Sequence, residues 1–342
     1  MRGGFHNSII STPSCLVYFS RTPSSFSGRI LPTPDLQLPI SSSHHIISRK
    51  TDIPVSDVDE FFESFIYLLN NDKEYDYNNK DNEILESILK VENKTIEKSV
   101  APSCSDFLKR CIWKGNEDRC KQLFTQTKTA NGYCCSFNYI QYKLYAKELQ
   151  EPKRVSGVGY QSGLEVLLDN NPDDYFVTDI SSVGYRILIH LSEDFPDVAS
   201  SNILCSIETN TLIGITPLIV SASSGLRRMP LYQRNCLFPD ERRMTFFPFY
   251  NFHNCLVDHN AKITYEKCGC IPFYIPNRET KKKWRVCTPK DALCVTQYED
   301  LYETNKENVS SYDCPEDCET VRYSTACYQG SFDVHFTNRF GM

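Results

Sequence analysis

The residues with the greatest chemical potential in this sequence are its cysteines. The chain has 16 cysteines among 342 residues, and half of them fall within residues 236–318. Thiols at this density either form disulfides in an oxidising compartment or bind metal ions, and their spacing distinguishes the two. The clustered cysteines are Cys236, Cys255, Cys268, Cys270, Cys287, Cys294, Cys314 and Cys318.

The spacing of these cysteines favours disulfides over zinc. A zinc site needs two pairs of thiolates, each pair separated by two to four residues. Only one residue separates Cys268 from Cys270. Cys314, Cys318 and His259 could chelate an ion, but no second suitable pair completes a site. Alternating residues can reach separate disulfide partners, because a disulfide needs only two Cα atoms that are close in space. We therefore expect disulfides and no metal site, with a cytosolic zinc protein as the contrary hypothesis.

Other chemistry finds no support in the sequence. It contains no Gly-x-Ser-x-Gly, Walker, His-Glu-x-x-His or dinucleotide-binding motif, and its seven histidines are scattered. The formal net charge of −6 leaves no basic excess that could neutralise nucleic-acid phosphates. We therefore expect no catalytic residue, no enzyme activity, no cofactor and no nucleic-acid partner.

Several features bear on the compartment. The sequons at Asn93 and Asn308 permit N-glycosylation, which occurs in the secretory pathway. The longest uncharged stretch, residues 209–225, includes Thr, Ser, Asn, Gly and Pro, and so favours buried strands over a membrane span of about 20 apolar residues. The first residues lack the apolar core of a signal peptide. A disulfide-rich chain without a signal peptide or a membrane span is interpreted as a fragment, or as a gene product with altered ends.

The elements that must position the cysteines change character along the chain. Residues 1–50 are rich in Ser, Pro, Thr and His without periodicity, and are expected to be disordered or misassigned. Residues 51–235 begin with helical periodicity and become β-rich. Within them, residues 185–191 alternate as in a strand with one dominant buried face. Residues 236–320 are helical and cysteine-dense, and residues 321–342 are expected to return as a strand.

Five motifs occur in an order that is typical of one known family. They precede or lead into the cysteine-dense run from Cys236 to Cys318, which carries the same resemblance, so that about residues 100–335 are covered; the order of the motifs makes the resemblance specific although each motif alone is weak. Through them, the chain resembles the extracellular domain of degenerin/epithelial sodium channels, most of all the insect pickpocket branch. The motifs are Ser103-Cys104-Ser-Asp-Phe-Leu-Lys-Arg-Cys111-Ile-Trp113, Gly132-Tyr-Cys134-Cys135-Ser-Phe137-Asn138, Gly184-Tyr-Arg-Ile-Leu-Ile-His190 with Phe195-Pro196, Leu226-Arg227-Arg228, and Gln233-Arg234-Asn-Cys236.

The resemblance implies an α+β fold. Its core would consist of palm and β-ball strands, joined by a helical finger and a disulfide-rich helical thumb. In these terms, residues 1–50 are a leader, 51–235 the finger, knuckle and palm strands, and 236–320 the disulfide-stapled thumb. Residues 321–342 would be a palm strand that returns toward the second membrane helix. The two membrane helices of the family are not found in this sequence.

The resemblance also implies a disulfide ladder. A further rung of the family would fall at His259 and Tyr312, so both of its halves are missing together. Cys104 and Cys135 are candidates for a pair, and the family partner of Cys134 lies in a motif that is not found. Cys15, Cys205 and Cys327 have no assignment. The implied pairs are Cys236–Cys318, Cys255–Cys314, Cys268–Cys294 and Cys270–Cys287 in the thumb, and Cys111–Cys120 in the finger.

For function, the resemblance implies a subunit of a sodium-selective, ligand- or stimulus-gated channel at the plasma membrane. The channel would be a homo- or hetero-trimer held in the membrane by helices absent from this chain, with Na⁺ as the transported ion. Thumb and finger, on the extracellular side, would sense the stimulus, and the palm would transmit it. Asp300 is a possible gating carboxylate, although the companion position holds Thr296, and Gln233 replaces a tryptophan of relatives. The alternative is a pore-less module of the same fold, secreted or regulatory.

Overall fold

The computed structural model describes the chain in several ranges, to which all structural statements below refer. They are residues 14–19, 26–32, 48, 52–58, 103–129, 132–139, 152–155, 157, 159–169, 184–196, 201–276, 284–288, 291, 294, 295, 298 and 313–331. Most of the helical stretch expected near the start of residues 51–235 lies outside them, but residues 55–58, at its beginning, are helical.

Most strands belong to two sheets, which together are called the sheet core below. The first has the spatial order β5 (Phe124–Thr129), β6 (Gly132–Phe137), β1 (Ser14–Phe19), β8 (Gly184–His190) and β9 (Ser201–Ser206). The second has the order β13 (Thr320–Ser331), β10 (Thr209–Val220), β2 (Phe26–Pro32), β7 (Leu164–Leu168), β3 (Leu108–Trp113) and β4 (Asn116–Asp118). A short separate pair joins β11 (Cys236–Leu237) to β12 (Glu316–Asp317).

Strands β1 and β2 lie where the sequence predicted no regular structure. β1 pairs in parallel with both β6 and β8, and β2 pairs with β10 and β7. Both are interior strands, held by backbone hydrogen bonds on two sides. Their partners lie far along the chain, so the local composition of residues 1–50 gave no sign of them. These two strands differ from the disorder expected there, whereas the assignment of residues 1–50 as a disordered or misassigned leader stays a prediction.

The main hydrophobic core draws on both sheets. Phe137 and Ile187 come from the first sheet, whereas Val166 and Ile213 come from the second, and each is at most 5% exposed. β8 is buried on both faces, although its alternation predicted one dominant buried face. Leu188, with 0% exposure, packs in a separate cluster on the other side of the strand. The pattern therefore located the strand but not its double burial.

Of the four helices that are named here, three are single turns and one is long. They are α1 (Cys104–Phe107), α2 (Cys120–Leu123), α3 (Leu231–Arg234) and α4 (Phe252–Cys268), with 3₁₀ turns at Tyr160–Ser162 and Leu226–Arg228. α4 has 17 residues and is capped at its C-terminal end by Gly269, whose φ of 68° is the left-handed conformation that glycine adopts without strain. Within the described ranges, no helix combines the length and the apolar character needed to cross a bilayer.

Candidate functional site

Four disulfides cross-link the cysteine-rich segment, defined here as residues 236–320. Cys255 lies in the first turn of α4 and Cys268 is its last residue, so the helix is tied covalently at both ends. The bridged Cα atoms are 4.9 to 6.0 Å apart, within the usual range for disulfides. The bridges are Cys236–Cys318, Cys255–Cys314, Cys268–Cys294 and Cys270–Cys287, the pairs that the family resemblance implies.

The chain enters and leaves this segment along one two-stranded ribbon. β10 leads toward the segment and β13 leaves it, and the two strands pair antiparallel over all 12 residues of each. The pairing ends with Val220 opposite Thr320, and the Cys236–Cys318 bridge closes the segment at its base. A displacement of the base therefore acts on both strands of the ribbon together.

Asn254 attaches the start of α4 to the sheet core. Its side chain is fully buried. The side-chain oxygen accepts a hydrogen bond from the Phe195 N–H at 2.8 Å, and the amide nitrogen donates to the Glu193 carbonyl at 3.0 Å. Residues 191–196 directly follow β8, so this amide holds the end of a core strand against the first turn of the helix. Asn251, which caps the helix, also donates to the Asp194 carboxylate at 3.0 Å.

Phe195 anchors the same turn through aromatic packing. The residue is 2% exposed, and its ring centroid lies 6.0 Å from that of Phe247 and 5.8 Å from that of Tyr274. These rings belong to a cluster inside the cysteine-rich segment that also contains Ile271 and Ile275. Burial of a phenylalanine side chain contributes about 1.5–3 kcal/mol. Residues 191–196, called the β8 turn below, are therefore fixed by apolar as well as polar contacts.

Residues 313–318 also contact the start of α4. The contacts among residues 191–196, the start of α4 and residues 313–318 are called the junction below. The Asp317 carboxylate accepts the Phe252 N–H at 3.0 and 3.1 Å, where α4 begins with unsatisfied backbone donors. The Tyr250 hydroxyl donates to the Pro315 carbonyl, and Arg242 donates to the Asp313 carbonyl. Together with the disulfides, these bonds tie the residues just before β13 to the start of α4 and to the residues that precede it.

A second contact joins the cysteine-rich segment to the β5–β6 hairpin. The Lys128 ammonium donates to the Phe273 carbonyl at 3.2 Å, and the rings of Tyr133 and Phe273 have centroids 6.4 Å apart. The ammonium also lies 6.0 Å from the Tyr133 ring centroid. Among the described residues, the segment thus touches the sheet core both at the β8 turn and at this hairpin.

Two carboxyl groups at the junction have raised pKa values. Burial raises the pKa of Asp194 to about 8, and the nearby Asp317 carboxylate adds to this increase. Burial likewise raises the pKa of Asp317 to about 6, while the hydrogen bond from the Phe252 amide opposes the increase. Asp194 therefore keeps its proton at neutral pH. Burial disfavours its charged form, and an ionised Asp194 would also be repelled by the Asp317 carboxylate.

This proton makes the stability of the protein depend on pH. The pKa of an aspartic acid in an unfolded chain is about 3.9, whereas the pKa of Asp194 in the folded protein is about 8. The free energy of unfolding should therefore fall as the pH rises through this window. Replacing Asp194 with asparagine should remove this contribution. We expect the stability of Asp194→Asn relative to the unmodified protein to increase by more than about 1 kcal/mol between pH 5 and pH 8, measured by urea unfolding.

The matched control for this experiment is Asp240→Asn. Asp240 is exposed, and the hydrogen bonds from Arg227 lower the pKa of its carboxyl, which therefore stays ionised from pH 5 to pH 8. Its substitution should leave the pH dependence unchanged. Parallel pH profiles for Asp194→Asn and the unmodified protein would contradict the assignment of the proton to Asp194.

The other residues singled out from the sequence lie in several places. Cys111 pairs with Cys120 and Cys104 pairs with Cys135, while Cys134 is also disulfide-bonded.

The remaining predicted positions are not cysteines. His259 is partly buried on α4, and Gln233 is exposed on α3. No group of three or more His, Cys, Asp or Glu side chains within the described ranges could hold a metal ion. Four predicted positions lie outside these ranges: Asn93, Asn308, Asp300 and Tyr312.

Sequence reasoning did not single out Asn251, Asn254, Asp194 or Asp317. Asn251 could have been found, because asparagine before a helical stretch is a common N-cap. The burial of Asn254 and the approach of Asp194 to Asp317 depend on segments that are distant in the sequence. No local pattern predicts those contacts.

The comparison with known families now gives this architecture its class. The sequence matches the family model described as "Amiloride-sensitive sodium channel" over residues 42–340. The chain therefore belongs to the amiloride-sensitive sodium channel family, the channel family that its motifs resemble.

Individual relatives agree with this assignment. The chain is 29% identical over 292 residues to the "Sodium channel protein Nach" of Drosophila ananassae, an alignment covering 84% of this chain and 52% of the relative. It is 27% identical over 263 residues to "Pickpocket protein 28" of Drosophila melanogaster, covering 67% and 43%. It is 23% identical over 224 residues to "Acid-sensing ion channel 4-B" of Danio rerio, covering 64% and 36%. The chain spans about half the length of the curated relatives it matches.

Proposed function

We propose that this chain is the extracellular part of a subunit of a sodium-selective, ligand- or stimulus-gated channel at the plasma membrane. The cysteine-rich segment acts as the thumb, the β5–β6 hairpin belongs to the region that carries the finger, and the β10–β13 ribbon belongs to the palm. The subunit assembles with identical or related subunits into a trimer, and Na⁺ is the ion transported by the complete channel. Family membership and the names of the relatives support the channel role.

The observation that carries the mechanism is the covalent closure of the cysteine-rich segment on its ribbon. α4 is tied at both ends by disulfides, and the segment is closed at its base by Cys236–Cys318. Such a body moves as a unit, because bending it requires strain in several covalent loops. A stimulus that displaces the segment would pull on β10 and β13 together, and would load the β8 turn through Asn254. Gating requires a two-state element, and we assign that role to the displacement of this segment relative to the sheet core.

The alternative is a pore-less module of the same fold that is secreted, or that assembles with full subunits as a regulator. The contacts between the cysteine-rich segment and the sheet core would then hold the domain rigid while it binds a partner. The two proposals differ in whether membrane-spanning segments accompany this domain in the complete gene product.

The deciding experiment uses the complete transcript expressed in oocytes, alone and together with related subunits. The channel proposal predicts an inward current under voltage clamp that disappears when external Na⁺ is replaced by a large organic cation, and a trimer on native gels. The 342-residue chain alone is the control and should give no current. A complete transcript that encodes no apolar stretch of about 20 residues, with its product released into the medium, would favour the pore-less module.

A further inference from the structure

Two cysteines in the sheet core carry thiols rather than disulfides. Cys205 lies on β9 and is fully buried, whereas Cys327 lies on β13 and is exposed. The other thirteen cysteines whose side chains the structure describes are bridged. Two thiols that persist in a chain with many disulfides either lie too far apart to react or form a separate redox pair. Their surroundings distinguish these two cases.

The strands that carry the two thiols meet at the edges of their sheets. β9 is the last strand of the first sheet and β13 the last strand of the second, and the two strands contact each other. The Cys205 thiol is hydrogen-bonded by the side chains of Thr211 and Gln329, which lie opposite each other in the β10–β13 pairing. The buried sulfur therefore faces the ribbon at a known register.

Cys327 lies beside this position. It precedes Gln329 by two residues on β13, so the two side chains project from the same face, about 7 Å apart along the strand. Burial, and then the neighbouring Cys327 thiol, raise the pKa of Cys205 to about 12. The Cys205 sulfur thus lies at Gln329, and Cys327 lies two residues away on the same face of β13, so the two cysteines are neighbours across the contact between β9 and β13.

We propose that Cys205 and Cys327 form a dithiol that low-molecular-weight disulfides, such as glutathione disulfide, oxidise to a further bridge between the edges of the two sheets. The exposed Cys327 loses its proton, and its thiolate attacks one sulfur of glutathione disulfide and releases one glutathione thiolate. Cys205 then loses its proton and attacks the Cys327 sulfur, releasing the second glutathione. Two thiols and one glutathione disulfide become one protein disulfide and two molecules of glutathione.

The order of these steps follows from exposure. A reagent can reach Cys327 but not Cys205, which has 0% exposure, so Cys327 reacts first and Cys205 resolves the mixed disulfide. Burial also raises the pKa of Cys327, so little thiolate exists at neutral pH. Oxidation is therefore slow near pH 7, and its rate should increase about tenfold per pH unit up to pH 9.

Oxidation would join β9 to the strand that leaves the cysteine-rich segment. The β10–β13 ribbon would then be held against the first sheet by a covalent bond as well as by packing. If the ribbon transmits gating movements, as the proposed function holds, oxidation would restrain them. The thiol chemistry itself does not depend on the channel function, so a failure of either proposal leaves the other testable.

The test is to incubate the purified chain with glutathione disulfide, block the remaining thiols with N-ethylmaleimide, and map the cysteines by mass spectrometry. We expect a Cys205–Cys327 bridge and no retained glutathione, with the tenfold rise in rate per pH unit. Two separate glutathione adducts in the same molecule would overturn the proposal, and so would two thiols that remain unchanged at pH 9. This measurement needs no variant and does not depend on the folding of one.

Single variants test the roles of the two thiols. Cys205→Ser should stop at a stable mixed disulfide between Cys327 and glutathione, because the resolving thiol is missing. Cys327→Ser should leave Cys205 without glutathione, because the buried sulfur cannot be reached. A Cys327→Ser protein that acquires glutathione at Cys205 as fast as the unmodified protein reacts would contradict the assigned order and with it the proposal.

Discussion

Replacement of Asn254 by alanine is expected to lower the free energy of unfolding by about 3 kcal/mol. The substitution removes two hydrogen bonds and leaves the Phe195 N–H and the Glu193 carbonyl without their side-chain partner. Each buried polar group that loses its partner costs about 1–3 kcal/mol. The loss is large for a single amide because Asn254 is fully buried, so water cannot take its place without opening the junction.

Hydrogen exchange gives a local measurement of the same effect. In Asn254→Ala, the Phe195 amide should exchange about 100-fold faster, because 3 kcal/mol corresponds to roughly two factors of ten. Glu266→Ala is the matched control, since Glu266 lies on the same helix but is exposed, and it should change stability by less than about 0.5 kcal/mol. Equal effects of the two substitutions would mean that Asn254 does not hold the β8 turn to the helix.

The double variant Cys236→Ser/Cys318→Ser is expected to lose about 3 kcal/mol. The two residues are 82 positions apart, but Cys255–Cys314 already joins the chain within that interval. The outer bridge therefore closes a loop of only roughly 25 residues, made of the stretches 236–255 and 314–318, and the chain-entropy relation gives about 3 kcal/mol for such a loop. Urea unfolding without reductant measures the loss.

Nesting also predicts how two bridges combine. Each bridge shortens the loop that the other must close, so removal of both Cys236–Cys318 and Cys255–Cys314 should cost more than the sum of the separate removals. Cys111→Ser/Cys120→Ser provides the control, because that bridge spans 9 positions elsewhere in the fold and should combine additively with either. Strict additivity of the two nested bridges would refute the loop argument.

The sequence predicted some parts of this structure for specific physical reasons. Cysteine spacing alone favoured disulfides, but only the ordered family motifs supplied partners for Cys236, Cys255, Cys268 and Cys270. The alternation in residues 185–191 predicted β8, because side chains on a strand project to opposite faces. It could not reveal that both faces are covered, since the second cluster includes residues from β6 and from the segment that follows it.

The remaining features depend on contacts between distant parts of the chain. β1 and β2 owe their conformation to partners on both sides, and residues 1–50 show no strand pattern of their own. Asp194 and Asp317 likewise show no sign in the sequence of the environment that raises their pKa values. Composition and periodicity report on local conformation, and tertiary contacts override them here.

The nested bridges also determine what proteolysis can do to the cysteine-rich segment. Wherever a protease cuts the backbone once between Cys236 and Cys318, the two products stay attached through the bridge at the base. A cut between Cys270 and Cys287 leaves every rung intact, so the ends are held together by four covalent links. A protease can therefore cut the segment once without releasing a fragment, and both sides of the cut stay joined to the β10–β13 ribbon.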